Sequence, residues 1–134
     1  MAIRIVECVE WAVPDKPGEL LKYANCFRTV GINLDALWAY GCGKGKARMA
    51  AVGKDPRALM SALRMHGLDT EVSKGFYVAG KDKAGALVAV AKTLAKAGIN
   101  IEYVSALAAQ GRYGAAFWVP DSKFQKARKL LRAR

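Results

Sequence analysis

The chain reads as an α+β protein made of tandem ferredoxin-like βαββαβ repeats, with antiparallel sheets and helices on one face. Two observations predict this. First, two separated motifs recur at one offset of 67 positions. Asp15-Lys16-Pro17-Gly18-Glu19-Leu20-Leu21 matches Asp82-Lys83-Ala84-Gly85-Ala86-Leu87-Val88, and Gly31-Ile32-Asn33-Leu34-Asp35 matches Gly98-Ile99-Asn100-Ile101-Glu102. Separate motifs in one register mark a duplicated unit of about half the chain. Second, the apolar pattern alternates between strand and helix periods in the same order in each half. The copies are 1–73 and 74–134, and the second lacks its last strand because its final helix runs into Arg134.

The elements follow in order. Arg4 to Val13 alternates and is rich in β-branched residues, which predicts a strand. Gly18 to Val30 carries Leu20, Leu21, Ala24, Phe27 and Val30 at helical spacing, and Gly31 stands where a left-handed C-terminal glycine belongs. Leu34 to Tyr40 and Ala47 to Val52 are strands joined by the glycine-rich hairpin Gly41 to Lys46. Asp55-Pro56 opens a helix with Leu59, Met60 and Leu63 inward, Gly67 ends it, and Leu68 to Ser73 is a fourth strand. The second copy repeats the plan. Gly75 to Ala79 is a strand, Gly85 to Ala97 a helix, Ile101 to Ala108 and Ala115 to Val119 strands, and Ser122 to Leu131 a helix. The long N-terminal strand is expected to pair with the edge left bare by the missing strand. Both sheet faces look apolar, since Leu34, Ala36, Trp38 and Tyr40 share one side while Leu37 and Ala39 take the other. An antiparallel sheet normally keeps its open face polar, so this face is expected to meet a second protomer, the alternative being that the two repeats cover each other within one chain.

Composition bounds the function. The 134 residues carry 22 Lys and Arg against 11 Asp and Glu, a net charge of +11, and are 53% hydrophobic. Such a chain can fold, and it favours anionic partners. No apolar run is long enough for a membrane span, and charges interrupt the N-terminal apolar positions as no signal peptide allows. Cys8, Cys26 and Cys42 are an odd number without metal-ligand spacing, which reads as buried or free thiols in a reducing cytosol.

Asp-x-Pro-Gly-x-Leu before a helix, followed by Gly-Ile-Asn before the next strand, resembles the signature of ACT domains. The matching stretches are Asp15 to Leu20 with Gly31-Ile32-Asn33, and Asp82 to Leu87 with Gly98-Ile99-Asn100. The resemblance spans nearly the whole chain, and small stand-alone tandem ACT proteins are the nearest likeness. It implies a cytoplasmic regulator that binds an amino acid between ACT units, signals to an enzyme or another regulator, forms a homodimer, and has no cofactor. The implied ligand-binding residues are Asp15, Lys16, Pro17, Gly18, Glu19, Leu20 and Asn33, with Asp82, Lys83, Ala84, Gly85, Ala86, Leu87 and Asn100. The second copy departs from the pattern at Ala84, where the missing proline leaves φ unfixed.

Elementary chemistry supports these positions. Gly18 and Gly85 stand at helix starts, where free N–H groups and the positive dipole end favour a carboxylate. Asp15 or Asp82 could take an ammonium group or cap the helix. Asn33 and Asn100 offer a donor and an acceptor, or simply shape a turn. Trp11, Trp38, Tyr40 and Tyr103 suit either an aromatic pocket or packing, with packing the better account.

Other signals are weaker. Gly41 to Lys46 lacks the first glycine, the Ser/Thr and the following helix of a phosphate loop. Lys74-Gly75-Phe76-Tyr77-Val78 begins like an RNA-recognition motif but falls on a first strand and lacks the next aromatic. No histidine pair, Cys-x-x-Cys or nucleophile elbow is present, so no catalytic or metal residue is assigned. The tail from Lys123 to Arg134 holds six basic residues and no acid. It supports the alternative reading, a nucleic-acid-binding ferredoxin-like module that uses its basic C-terminal helix.

Overall fold

The computed structural model describes residues 2–134. Met1, the first residue of the expected first copy, lies outside them. Among the described residues six strands and four helices form an α+β fold of ferredoxin-like repeats. They are β1 (Ile3–Pro14), α1 (Glu19–Thr29), β2 (Leu34–Gly43), β3 (Lys46–Gly53), α2 (Pro56–Arg64), β4 (Glu71–Lys81), α3 (Val88–Lys96), β5 (Tyr103–Ala109), β6 (Arg112–Trp118) and α4 (Phe124–Leu131), the last preceded by a 3₁₀ turn at Asp121–Lys123. The chain forms two compact units: a first unit, Glu7–Ser73, and a second unit of Met1–Val6 with Lys74–Arg134. Residues 2–6, which the repeat assigned to the first copy, thus group with the second.

In the first unit the strands lie in the order β2-β3-β1. Antiparallel pairs such as Val9 with Ala51 and Trp11 with Met49 point alternate residues at the helices. Val9, Trp11 and Val13 meet Tyr23, Phe27, Leu59 and Leu63 there. The Trp11 ring stands edge-on to Tyr23 at 5.6 Å and to Phe27 at 5.9 Å. Each such side chain removed from water contributes roughly 1.5–3 kcal/mol. On α1 the buried stripe is Glu19, Tyr23 and Phe27, at spacing i, i+4, i+8. Of the apolar set expected at helical spacing only Phe27 is buried, and Leu20, Leu21 and Val30 lie exposed. Tyr23 wins because it shares the stripe of Phe27, which the two leucines flank. At α2, Asp55 Oδ1 accepts from the N–H groups of Arg57 (3.1 Å) and Ala58 (3.2 Å), with Pro56 at the first helical position.

In the second unit the order is β1-β4-β6-β5, with β1 contributing through its first residues. The Arg4 guanidinium lies 5.1 Å above the Tyr77 ring. Chain leaving α4 also pairs there: Ile5 N–H donates to Arg134 O at 2.9 Å, and Arg134 N–H to Ile3 O at 3.1 Å. Phe76, Val78 and Phe117 pack on Val90, Leu94 and Ala127, and Ile3 joins this core. The start of β1 therefore occupies the bare edge, as its length implied.

Two expectations need correction. The strands foreseen at Leu68 to Ser73 and Gly75 to Ala79 are one strand, β4. Gly75 is not a break: a Cβ there would collide with the Trp118 ring. The helix foreseen from Gly85 starts only at Val88, because Gly85 takes a left-handed turn at φ 74° and its carbonyl accepts from Val88 N–H. Of the β2 residues that make both faces look apolar, Leu34, Ala36 and Trp38 are half-buried and Leu37, Ala39 and Tyr40 exposed, while Cys8, Ala50, Val52, Ala116 and Trp118 are buried.

Candidate ligand site

Both copies hold their Asp-containing loop by the same backbone device. Asp15 N–H donates to Gly45 O at 2.9 Å, and Asp82 N–H donates to Gly111 O at 2.8 Å. The acceptors sit in two-residue hairpins, Lys44-Gly45 and Gln110-Gly111, whose four residues all have positive φ. That is the twist an antiparallel hairpin prefers. The loop is thus fastened over the end of the β2–β3 or β5–β6 hairpin.

Neither aspartate caps its helix. Gly18 is the N-cap of α1 and Leu87 that of α3, and neither helix has a side-chain cap hydrogen bond. Asp15 instead lies against β2, where a Cβ on Gly41 would come 3.0 Å from its Oδ2. First-turn N–H groups without a side-chain cap are open to another acceptor, save that of Val88, which donates to Gly85 O.

In the second unit the loop borders a pocket of about 410 Å³. Asp82, Gly85, Ala86 and Leu87 line it, four of the seven residues expected in this copy. Lys83, Ala84 and Asn100 do not. The rest of the wall is Val88 of α3, Ala106, Leu107 and Ala108 of β5, and Tyr113 of β6. Sequence reasoning missed these, although Ala108 and Tyr113 are directly paired in the hairpin. Asp82 is the only charged side chain of the lining, and the pocket's aromatic is Tyr113 rather than Trp11, Trp38, Tyr40 or Tyr103.

In the first unit Lys16, Pro17, Gly18 and Leu20 are exposed while Glu19 is 9% exposed. Glu19 Oε1 lies 3.9 Å from Lys16 Nζ, and Oε2 is buried without a hydrogen-bond partner. Asn33 follows the C-terminal end of α1 whereas Gly18 precedes its start, so the helix of 11 residues separates them, by about 16 Å at 1.5 Å per residue. Gly85 and Asn100 bracket α3 in the same way. A single copy therefore does not bring its glycine loop and its asparagine together.

A second pocket, about 330 Å³, lies between α1 and α2 of the first unit and contains no expected residue. In the second unit Lys126 Nζ reaches Ala97 O across the α3–α4 seam at 3.5 Å. Cys8 is buried on β1, and its thiol is pushed up to about 12, by burial first and the Glu10 carboxylate second. Among the described residues no group of three metal-ligating side chains converges. No helix there is long and apolar enough to cross a membrane.

A duplicated antiparallel ferredoxin-like unit with a glycine loop fastened at a helix start defines an ACT-like fold. Among solved structures, the chain is similar to protein BT0572 from Bacteroides thetaiotaomicron, with a TM-score of 0.85 at 18% identity over 97% of this chain and 88% of that one. It is also similar to the regulatory subunit of aspartate kinase from Thermus thermophilus, ligand-free, with a TM-score of 0.67 at 19% identity over 98% and 93%. The corresponding subunit from Thermus flavus gives 0.64 at 17% over 98% and 95%. At these identities the likeness is one of fold. No family model and no curated protein matches the sequence.

Proposed function

We propose that the protein is a cytoplasmic regulator that binds an amino acid at the start of α3 and performs no chemistry of its own. One observation carries this reading: a single carboxylate, Asp82, and an uncapped helix start border one largely apolar pocket. A zwitterion matches both. Its ammonium group would pair with Asp82, its carboxylate with first-turn N–H groups of α3, and an apolar side chain with Leu87, Leu107 and Tyr113. The likeness to aspartate kinase regulatory subunits supports an enzyme as the receiver of the signal. The three free cysteines fit a reducing compartment.

In this reading the sequence copies are 1–73 and 74–134, and a homodimer completes the site. Asn33 or Asn100 would reach the loop of a neighbouring unit, Asp15 to Leu20 or Asp82 to Leu87. The edge strand β5 suits such pairing, because Tyr103–Ala109 carries no charge and Leu107 is 77% exposed. Edges that avoid partners usually carry charge or proline.

Titration calorimetry with a panel of amino acids tests the proposal. One apolar amino acid should bind. Asp82→Asn should weaken it by about tenfold or more, the scale of a charged hydrogen bond. Gly85→Val should abolish it, since a β-branched residue resists the required positive φ. Absence of binding by the whole panel to folded protein would overturn the reading.

A further inference from the structure

We infer that the helical layer of the second unit is a docking surface for a nucleic-acid backbone. The observation is a partition of charge between two copies of one fold. The first unit carries nine basic and eight acidic side chains, a net charge of +1. The second carries thirteen basic and three acidic ones, a net charge of +10. Nearly all the excess of the chain therefore sits on one unit. All thirteen of these basic residues are exposed.

The helices gather much of this charge. Lys92 and Lys96 lie on α3, Lys123 just before α4, Lys126 and Lys129 on α4, and Arg132 at its end. The buried residues Val90 and Leu94 of α3 and Ala127 of α4 face the core, so the cations occupy the outer side. The Lys126 contact to Ala97 O shows the two helices adjoining, which makes the layer continuous. Asp121 is the one acid between Val88 and Leu131 that lies on a helical element.

A solvated surface does not require this. The sister copy keeps the same fold near neutrality: α1 carries Lys22 and Arg28 where α3 carries Lys92 and Lys96, but α2 has only Arg57 and Arg64 where α4 has Lys126, Arg128 and Lys129, with Lys123 before it and Arg132 after it. Like charges one turn apart, such as Lys92 and Lys96, oppose the helix. In the first unit Arg48 has Glu10 at 3.9 Å and Glu71 at 3.4 Å. Acids are too few in the second unit to balance its cations in that way.

The shape of the surface selects the partner. Charges spread over two helices, without an enclosing pocket, fit a chain of repeated phosphates rather than one small anion. Phe76, Phe117 and Phe124 stack inside the core, so no base-stacking platform is offered and binding is to the backbone, without sequence readout. A lipid surface would call for many exposed apolar side chains among the cations, and Val88 on α3 and Leu130 on α4 are the exposed large apolar residues of these two helices.

The test is fluorescence anisotropy of the full chain with a labelled mixed-sequence duplex, at rising salt. Six phosphate contacts would lower affinity by about 10³ between 50 and 200 mM salt. The triple variant Lys96→Glu, Lys129→Glu, Arg132→Glu should weaken binding by about fortyfold or more and reduce the log–log salt slope by about 3. Lys126 is left intact to preserve the seam. The same charge change in the first unit, Lys54→Glu, Arg57→Glu, Arg64→Glu, should cost less than about threefold. An equal loss from both triples, no binding at low salt, or binding to anionic vesicles but not to the duplex would each overturn the inference. The Gln versions of the first triple, with circular dichroism, separate lost contacts from lost fold.

Discussion

The two copies share a backbone and differ in what fills it. Each fastens its aspartate N–H to a hairpin glycine carbonyl, and each follows with a left-handed glycine, Gly18 at φ 94° and Gly85 at φ 74°. One residue later they diverge. Glu19 in the first copy is buried with a partnerless oxygen, whereas Ala86 in the second borders a pocket. The motif sets the path of the chain. Room for a solute is decided by a neighbouring position that the motif leaves variable.

The largest expected effect concerns Cys8, which matches Gly75 at the offset of 67. Its thiol is raised from 9.0 to about 12. At pH 8 the thiolate fraction is then about a thousandfold below that of an ordinary thiol, and modification slows accordingly. Mass spectrometry after brief alkylation of the native protein should find Cys42 modified and Cys8 intact. Because the folded value lies above the unfolded one, the linked stability is complete below pH 9 and is lost as pH rises from 9 towards 12. Denaturant midpoints should fall across that window in the wild type, and fall less in Cys8→Ala. Rapid native alkylation of Cys8 would deny that the site is closed.

Transplanting the difference between the copies should have the next largest effect. Ala86→Glu brings a second carboxylate beside Asp82 and fills space in the pocket, so amino-acid affinity should fall about a hundredfold, near 3 kcal/mol. Unchanged affinity would place the ligand elsewhere. A smaller effect is expected on the non-helical sheet face. There the first copy pairs Cys8 with Val52, while the second sets Gly75 against the Trp118 ring. Gly75→Cys should overpack this place and cost about 1–3 kcal/mol in urea unfolding. Adding Trp118→Val should recover at least about 1 kcal/mol relative to the sum of the single changes. Strict additivity would mean that the glycine is not there for the ring.

What was legible follows from locality. The Asp55-Pro56 helix start, the hairpins and the glycines at helix ends depend on a few adjacent residues, and those read correctly. The strand around Gly75 was divided in two because the repeat boundary falls at 73/74, while the ring that Gly75 packs against lies over forty positions away at Trp118. The face of α1 was misread because Leu20 and Leu21 are more apolar than Tyr23, yet position on the stripe decides burial. The Asp-containing loops were legible as loops from the repeat. Their bonds to Gly45 and Gly111, and the pocket wall from Leu107 and Tyr113, depend on tertiary register that no local pattern encodes.

The smallest effect would sharpen the comparison most. A buried carboxylate oxygen without a partner is costly, so removing Glu19 should not weaken the fold as loss of a buried charge pair would. Its contact with Lys16 is long, 3.9 Å, and that lysine is 64% exposed, so solvent screens it and little stability is lost with it. Glu19→Ala is therefore expected to change stability by less than about 1 kcal/mol, on the stabilising side. It should also give the first copy the alanine that Ala86 supplies in the second, and calorimetry should then show the stoichiometry rising from one amino acid per chain towards two. A destabilised variant with unchanged stoichiometry would mean that the Glu19 carboxylate is engaged, and that the copies differ by more than this side chain.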